Sequence, residues 1–206
     1  MDYDPAEWIP TADATKESPR DVNDDERMML ELAAEENEGT LIGMRDSLIF
    51  FLMSNAGLRI SEVVTLKLSD LDLEHGRIHV LGKGGKHRKP IIGGRTVEKI
   101  NAWLARMPGS IEGSLVTDER GLSIGREQAW KRFVLIAERA GVKTTPHAMR
   151  HTFVLRFMDA VMDGDPSKLP AAIDAVCQQT GDRPEVILAY YTRARESDLR
   201  EIGRAV

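Results

Sequence analysis

From Asn23 onward, stretches whose apolar residues recur every three or four positions alternate with short polar breaks rich in Gly, Pro, Asp and Asn. Asn23-Asp24-Asp25-Glu26 supplies a cap and an acidic first turn for a helix running to about residue 37. A second helix is predicted over 40–56, around the apolar run Leu48-Ile49-Phe50-Phe51-Leu52-Met53, with Gly57 suited to end it in the left-handed conformation. A short helix follows over 60–66. Residues 77–81 read as a strand, Gly82-Lys83-Gly84-Gly85 as a turn and 87–92 as the return strand of a β-hairpin, with Pro90 marking an edge. The spacing predicts a helix over 96–107, with Val97, Ile100, Trp103 and Leu104 on one face. Leu115-Val116-Thr117 falls in a loop. Three further helices are expected over 126–140, 146–162 and 170–179, with Gly164-Asp165-Pro166 between the last two. Pro184 can open a short helix, and a separate polar helix is expected from about Glu196. The fold class is therefore α+β, mainly α-helical, with a small antiparallel β-hairpin.

Composition narrows the function. The chain has 206 residues, enough for one domain, with 42% hydrophobic but only 5% aromatic content, so Leu, Ile, Val, Met and Ala must build the core. Cys177 is the single cysteine, which excludes an internal disulfide and suits a reducing compartment. The longest apolar run is too short to span a bilayer, and no secretory signal is visible. These features suit a cytoplasmic protein without a membrane partner. The net charge of -5 is unevenly spread: residues 1–40 carry thirteen acidic and three basic side chains, leaving +5 on residues 41–206. Between Gly82 and Arg95 stand Lys83, Lys86, Arg88, Lys89 and Arg95 with no acid among them, a local patch of the kind that phosphate contact requires.

Four segments carry candidate chemistry: Ala56-Gly57-Leu58-Arg59-Ile60-Ser61-Glu62; Leu81-Gly82-Lys83-Gly84-Gly85-Lys86-His87-Arg88-Lys89-Pro90; Pro146-His147-Ala148-Met149-Arg150-His151-Thr152-Phe153; and Thr180-Gly181-Asp182-Arg183-Pro184 with Ala189-Tyr190-Tyr191-Thr192. Arg59 and Arg150 suit the binding of phosphate oxygens, because a guanidinium stays charged and donates in a fork. His147 lies three residues before Arg150, so a helix would put both on one face, where the imidazole can meet the same phosphate or move a proton. A phenol near these cations is a candidate nucleophile; with an ordinary pKa of about 10 it needs positive charge beside it.

Together and in this order, the four segments resemble the tyrosine recombinase (phage integrase) family, over most of residues 40–192. The resemblance implies that family's catalytic-domain fold. It implies a site-specific recombinase or integrase that cleaves and rejoins double-stranded DNA through a 3′-phosphotyrosyl link, with no cofactor and no metal. It assigns Arg59, Lys83, His147, Arg150 and Tyr191 to catalysis. Lys83 would be the general acid toward the leaving 5′ oxygen, with Lys86 its rival, and Tyr191 the nucleophile, with Tyr190 the adjacent alternative. Glu62 and His151 would support the site, and Lys86, Arg88, Lys89 and Arg183 would bind DNA.

The chain departs from the pattern at Asp182, where the family carries His or Trp to donate to the scissile phosphate. An ionised carboxylate there repels phosphate unless it turns away, orients an arginine or is protonated, and Arg183 could take over as donor. Asp182 therefore stands among the catalytic positions with its role open. The resemblance further implies self-association into a tetramer on DNA, with segment 195–206 exchanged between protomers. Residues 1–21 read as an irregular acidic leader and 22–206 as the catalytic domain. There is no room before residue 22 for the N-terminal clamp that such enzymes carry, so an excised catalytic domain or a naturally short member is expected. Two other readings share this pattern: a DNA-binding regulator that keeps the fold with reduced or lost catalysis, favoured by Asp182, and a type IB topoisomerase-like enzyme, against which the short hairpin and motif spacing speak.

Overall fold

The structure is a computed structural model. It describes residues 21–205 except Lys83, Gly84 and Lys86, and over 197–205 it describes the backbone course only. The expected leader, except for Asp21, lies outside the described residues, as do Lys83 and Lys86. Helices dominate. α1 (Asp24–Glu35), α2 (Leu41–Ser54) and α3 (Ile60–Thr65) precede four two-residue strands, β1 (Leu71–Asp72), β2 (Arg77–Ile78), β3 (Val80–Leu81) and β4 (His87–Arg88). α4 (Gly94–Leu104), α5 (Arg126–Arg139), α6 (Pro146–Met162), α7 (Leu169–Thr180) and α8 (Pro184–Ala205) follow.

Local chemistry sets these boundaries. Asn23 Oδ1 accepts from the Glu26 N–H at 2.9 Å and Glu26 Oε2 accepts from the Asn23 N–H at 3.2 Å, a capping box that contributes about 1 kcal/mol to α1. α2 is buried on nearly every side from Gly43 to Ser54, which explains its unbroken apolar run: it is the central helix, enclosed by its neighbours. Thr145 caps α6 through the Ala148 N–H and Pro146 occupies its first turn, where the missing N–H costs nothing. α8 is one continuous helix, where the sequence suggested a short helix and a separate terminal one; no glycine or proline interrupts residues 185–202.

The strands form two antiparallel pairs, β1 with β2 (Leu71 opposite Ile78) and β3 with β4 (Val80 opposite Arg88), joined by an Arg77–Ile91 bridge. The hairpin lies where expected, but the strand expected over 77–81 is broken at His79 into β2 and β3, the return strand expected over 87–92 is a ladder only at His87–Arg88, and β1 is an addition. The return strand is an edge, as Pro90 implied, and the edge is covered. The Gln179 side chain on α7 accepts from the Ile91 N–H at 2.9 Å and donates to its carbonyl at 2.8 Å. Leu115-Val116-Thr117, expected in an ordinary loop, is fully buried. Leu115 donates to the Leu66 carbonyl at 2.8 Å and its own carbonyl accepts from Trp103 Nε1 at 2.7 Å.

Two apolar clusters result. The larger surrounds α2 and takes in α1, α3, α4, α5 and the strands; the smaller lies between α6, α7 and α8 and contains Phe153, Val154, Met158, Ala172, Val176 and Ile187. α6 contributes Met149 to the first and Phe153 to the second. Among the described residues, no helix is long and apolar enough to cross a membrane.

Candidate active site

The site assembles where these two clusters meet, from the start of α3, β4, the start of α6 and the α7–α8 turn. Gly57 shapes the first wall. Its φ of 66° is left-handed, and a Cβ there would lie 2.3 Å from the Phe153 ring, so only glycine permits this approach of the α2–α3 turn to α6. The Gly57 carbonyl accepts a hydrogen bond from Arg150 Nη1. Arg150 is only 4% exposed; its Nη2 donates to the Thr180 carbonyl at 2.8 Å and to Asp182 Oδ2 at 2.6 Å. Arg59, at the N-cap of α3 and more open at 38%, donates from Nη1 to Glu62 Oε1 at 3.1 Å and from Nη2 to Asp182 Oδ1.

Asp182 therefore spans the two arginines, one carboxylate oxygen on each. It is only 10% exposed and sits in the turn between Gly181, whose φ of 72° ends α7, and Pro184, which starts α8. Its backbone N–H donates to Thr180 Oγ1 at 3.2 Å. Of the alternatives the sequence left for this carboxylate, the geometry is the one in which it binds the arginines.

Glu62 is the second anion. Burial pushes its carboxyl up, but the Arg88 guanidinium, the Arg59 N–H and the nearby charge of Arg150 together hold it below the usual carboxylate range. Arg88 meets it in a two-bond fork, Nη1 to Oε1 at 2.8 Å and Nη2 to Oε2 at 2.7 Å, while its Nε donates to the Gln179 carbonyl at 3.1 Å. This corrects the expectation for Arg88. The resemblance makes it a DNA-binding cation of the hairpin, but its side chain is 9% exposed and turned inward under the site, because β4 places it beside Glu62. Lys89 and Arg183 are exposed, as a surface contact requires.

His147 and His151 are one turn apart on α6, with their Nε2 atoms 3.1 Å from each other. Burial and the charge of Arg150 lower His147; burial, then His147 and Arg193, bring His151 down to about 4. Both shifts favour the neutral form of the ring. The Tyr190 ring lies 3.8 Å from that of His151 and 6.5 Å from that of His147. Its phenol is pushed up by burial and by the Asp182 charge, against the pull of Arg150 and Arg59. Tyr191 packs on the smaller cluster with the Arg195 guanidinium 5.1 Å over its ring. The structure thus brings Arg59, Glu62, Arg88, His147, Arg150, His151 and Asp182 together and places Tyr190, not Tyr191, on the histidines. Sequence reading missed three contributors: the carbonyls of Gly57 and Thr180, and Gln179. Only Gly57 had a signal, the glycine after a long apolar helix.

The phage integrase family model matches residues 23–167. The chain belongs to the phage integrase family. It is 28% identical over 165 residues to the tyrosine recombinase XerC of Vibrio cholerae, covering 78% of this chain and 52% of that protein. It is 35% identical over 144 residues to the XerC of Rhodospirillum centenum, covering 68% of this chain and 42% of the relative. The integrase-family chain thus spans about half the length of the curated relatives it matches. Its fold is that of tyrosine recombinase catalytic domains. It is similar to the XerA recombinase (TM-score 0.71, 25% identity, 90% of this chain and 65% of XerA) and to the XerH site-specific recombinase bound to its palindromic difH substrate (TM-score 0.72, 21% identity, 91% and 53%).

Proposed function

We propose that this integrase-family chain is the catalytic domain, residues 22–206, of a site-specific recombinase that cleaves and rejoins double-stranded DNA through a 3′-phosphotyrosyl intermediate. The observation that carries the reading is that Arg59 and Arg150, 91 positions apart in sequence, aim donors at the two oxygens of one anion. Two guanidinium groups converging in this way suit the non-bridging oxygens of a scissile phosphate, whose charge grows in the pentavalent transition state.

In this reading the Tyr191 oxygen attacks phosphorus and the bond to the 5′ oxygen breaks. The phenolic proton passes to neutral His147, and the leaving 5′ oxygen takes a proton from Lys83 or its neighbour Lys86. The bond energy is kept in the phosphotyrosine, so the 5′ hydroxyl can reverse the attack without ATP. Tyr190 is the adjacent alternative, and the pair Tyr191-Thr192 is the one that matches the family pattern. His151 positions His147, and Glu62 with Arg88 braces Arg59. Lys89 and Arg183, with the hairpin lysines, bind DNA backbone. The relatives' names and XerH's DNA complex support DNA as partner. Tetrameric assembly through segment 195–206 and a cytoplasmic, nucleoid-associated location complete the proposal.

The test uses a pool of nicked duplexes with randomised flanks, partitioned for DNA bound covalently to protein. The reading expects adducts from the wild type and Tyr190→Phe but none from Tyr191→Phe. Adducts that persist in Tyr191→Phe refute the assignment. DNA binding with no adduct at all supports the second reading, a regulator with lost catalysis, which the carboxylate of Asp182 in the anion site favours.

A further inference from the structure

The anion site is already filled by the protein itself. We infer that Asp182 is a resident stand-in for the scissile phosphate, holding Arg59 and Arg150 in position and obliging DNA to displace it before the phosphate can bind. The inference rests on the proposed role of the two arginines and adds a regulatory element to that site.

Three observations carry it. First, the carboxylate uses both oxygens, one on each guanidinium, as two non-bridging phosphate oxygens would. While Asp182 stays, a second anion must share these guanidinium groups with a carboxylate of like charge. Second, the charge of the cluster depends on it. Arg59, Arg88 and Arg150 face Glu62 and Asp182, leaving one net positive charge; with Asp182 withdrawn it is two, and the extra charge is centred where a phosphate would sit. Arg88 cannot compensate, because its fork is committed to Glu62.

Third, Asp182 is attached to the element that must deliver the nucleophile. It lies two residues before Pro184, the first residue of α8, and α8 carries both tyrosines. With Asp182 seated, Tyr190 rests on His151 and Tyr191 lies beneath Arg195. A phosphate that takes the arginines frees the α7–α8 turn, at the left-handed Gly181, and with it the start of α8. Occupation of the site by DNA and release of the tyrosine-bearing helix are then one event.

The probe is inorganic phosphate, which needs neither a target sequence nor cleavage. Its affinity is read from the concentration dependence of the unfolding midpoint, with chloride replaced at constant ionic strength. Asp182→Asn removes the charge with nearly the same shape and should bind phosphate roughly ten- to a hundredfold more tightly than the wild type, since a like charge in contact is removed. Adding Arg150→Ala should abolish that gain. Asp182→Ser serves as the second variant if Asp182→Asn does not fold, with the same expectation. Equal or weaker phosphate affinity in the folded variant overturns the inference, as does a gain that survives Arg150→Ala. If the variant gains phosphate affinity and no protein forms a covalent adduct, the stand-in holds and the recombinase reading fails. If the wild type forms adducts and the variant gains no phosphate affinity, the reverse is true.

Discussion

Glu62 and Arg88 form a two-bond fork at 2.8 and 2.7 Å, both side chains less than a tenth exposed, directly beneath the arginines of the anion site. A buried charge that loses its partner is costly, whereas an intact pair is nearly neutral in stability. Arg88→Ala is therefore expected to lower unfolding free energy by about 3–5 kcal/mol, read by urea denaturation, and Arg88→Lys to recover only part of it, because an ammonium cannot make the fork. A DNA-facing cation would behave in the opposite way. Its removal would leave stability within about 0.5 kcal/mol and reduce the salt dependence of DNA affinity. That second outcome would contradict the inward placement of Arg88.

Gln179 ties the hairpin to α7 through both polar groups of Ile91 and a further bond to the Ala56 carbonyl at 3.3 Å. Gln179→Ala leaves the Ile91 amide and carbonyl without these partners and is expected to cost about 1–3 kcal/mol. The sharper readout is local: amide exchange at Ile91 should accelerate more than at Ile100 in the centre of α4. An acceleration at Ile91 no greater than that at Ile100 would show that Gln179 does not cover the edge.

These contacts mark the boundary of what the amino-acid order can reveal. α6 matches the expected 146–162 to the residue, with Thr145 capping its start and Asp163, left-handed at φ 48°, closing it. The apolar run of α2 announces a buried helix without saying what covers it. β1 is two residues long, too short for any periodicity, and exists only because β2 lies beside it. The same holds within the site. The identities of Arg59, His147 and Arg150 are readable from motifs, but the partner of a cation is a long-range fact. Arg88 and Glu62 are 26 positions apart, and Arg59 and Asp182 are 123 apart. No pattern along the chain distinguishes a guanidinium that meets DNA from one that braces a glutamate.

His151 links the site to pH. Its folded pKa is brought from 6.5 down to about 4, first by burial and then by the charges of His147 and Arg193. The unfolded chain therefore takes up the proton more readily than the folded one. The contribution to stability is fully present above about pH 6.5 and is lost as the pH falls toward about 4. Discounted for partial exposure, the loss attributable to this ring is on the order of 1–2 kcal/mol. Urea denaturation at pH 7.0 and 4.5 should show a smaller difference for His151→Gln than for the wild type. An unchanged difference would mean that the ring does not titrate as its surroundings dictate.

Gly57 offers the most direct test of how the fold holds the site. Any side chain at φ 66° carries a backbone penalty of about 1–2 kcal/mol, and at this position a Cβ also meets Phe153 at 2.3 Å. Gly57→Ala is thus expected to destabilise the domain by more than about 2 kcal/mol. It should also displace the carbonyl that receives Arg150, lowering covalent adduct formation beyond the loss of folded protein. The two costs can be separated. In Gly57→Ala/Phe153→Ala the clash is gone and the strained φ remains, so the double variant should be more stable than the sum of the single changes implies. Additive losses would place the whole penalty in the backbone and remove Phe153 from the argument.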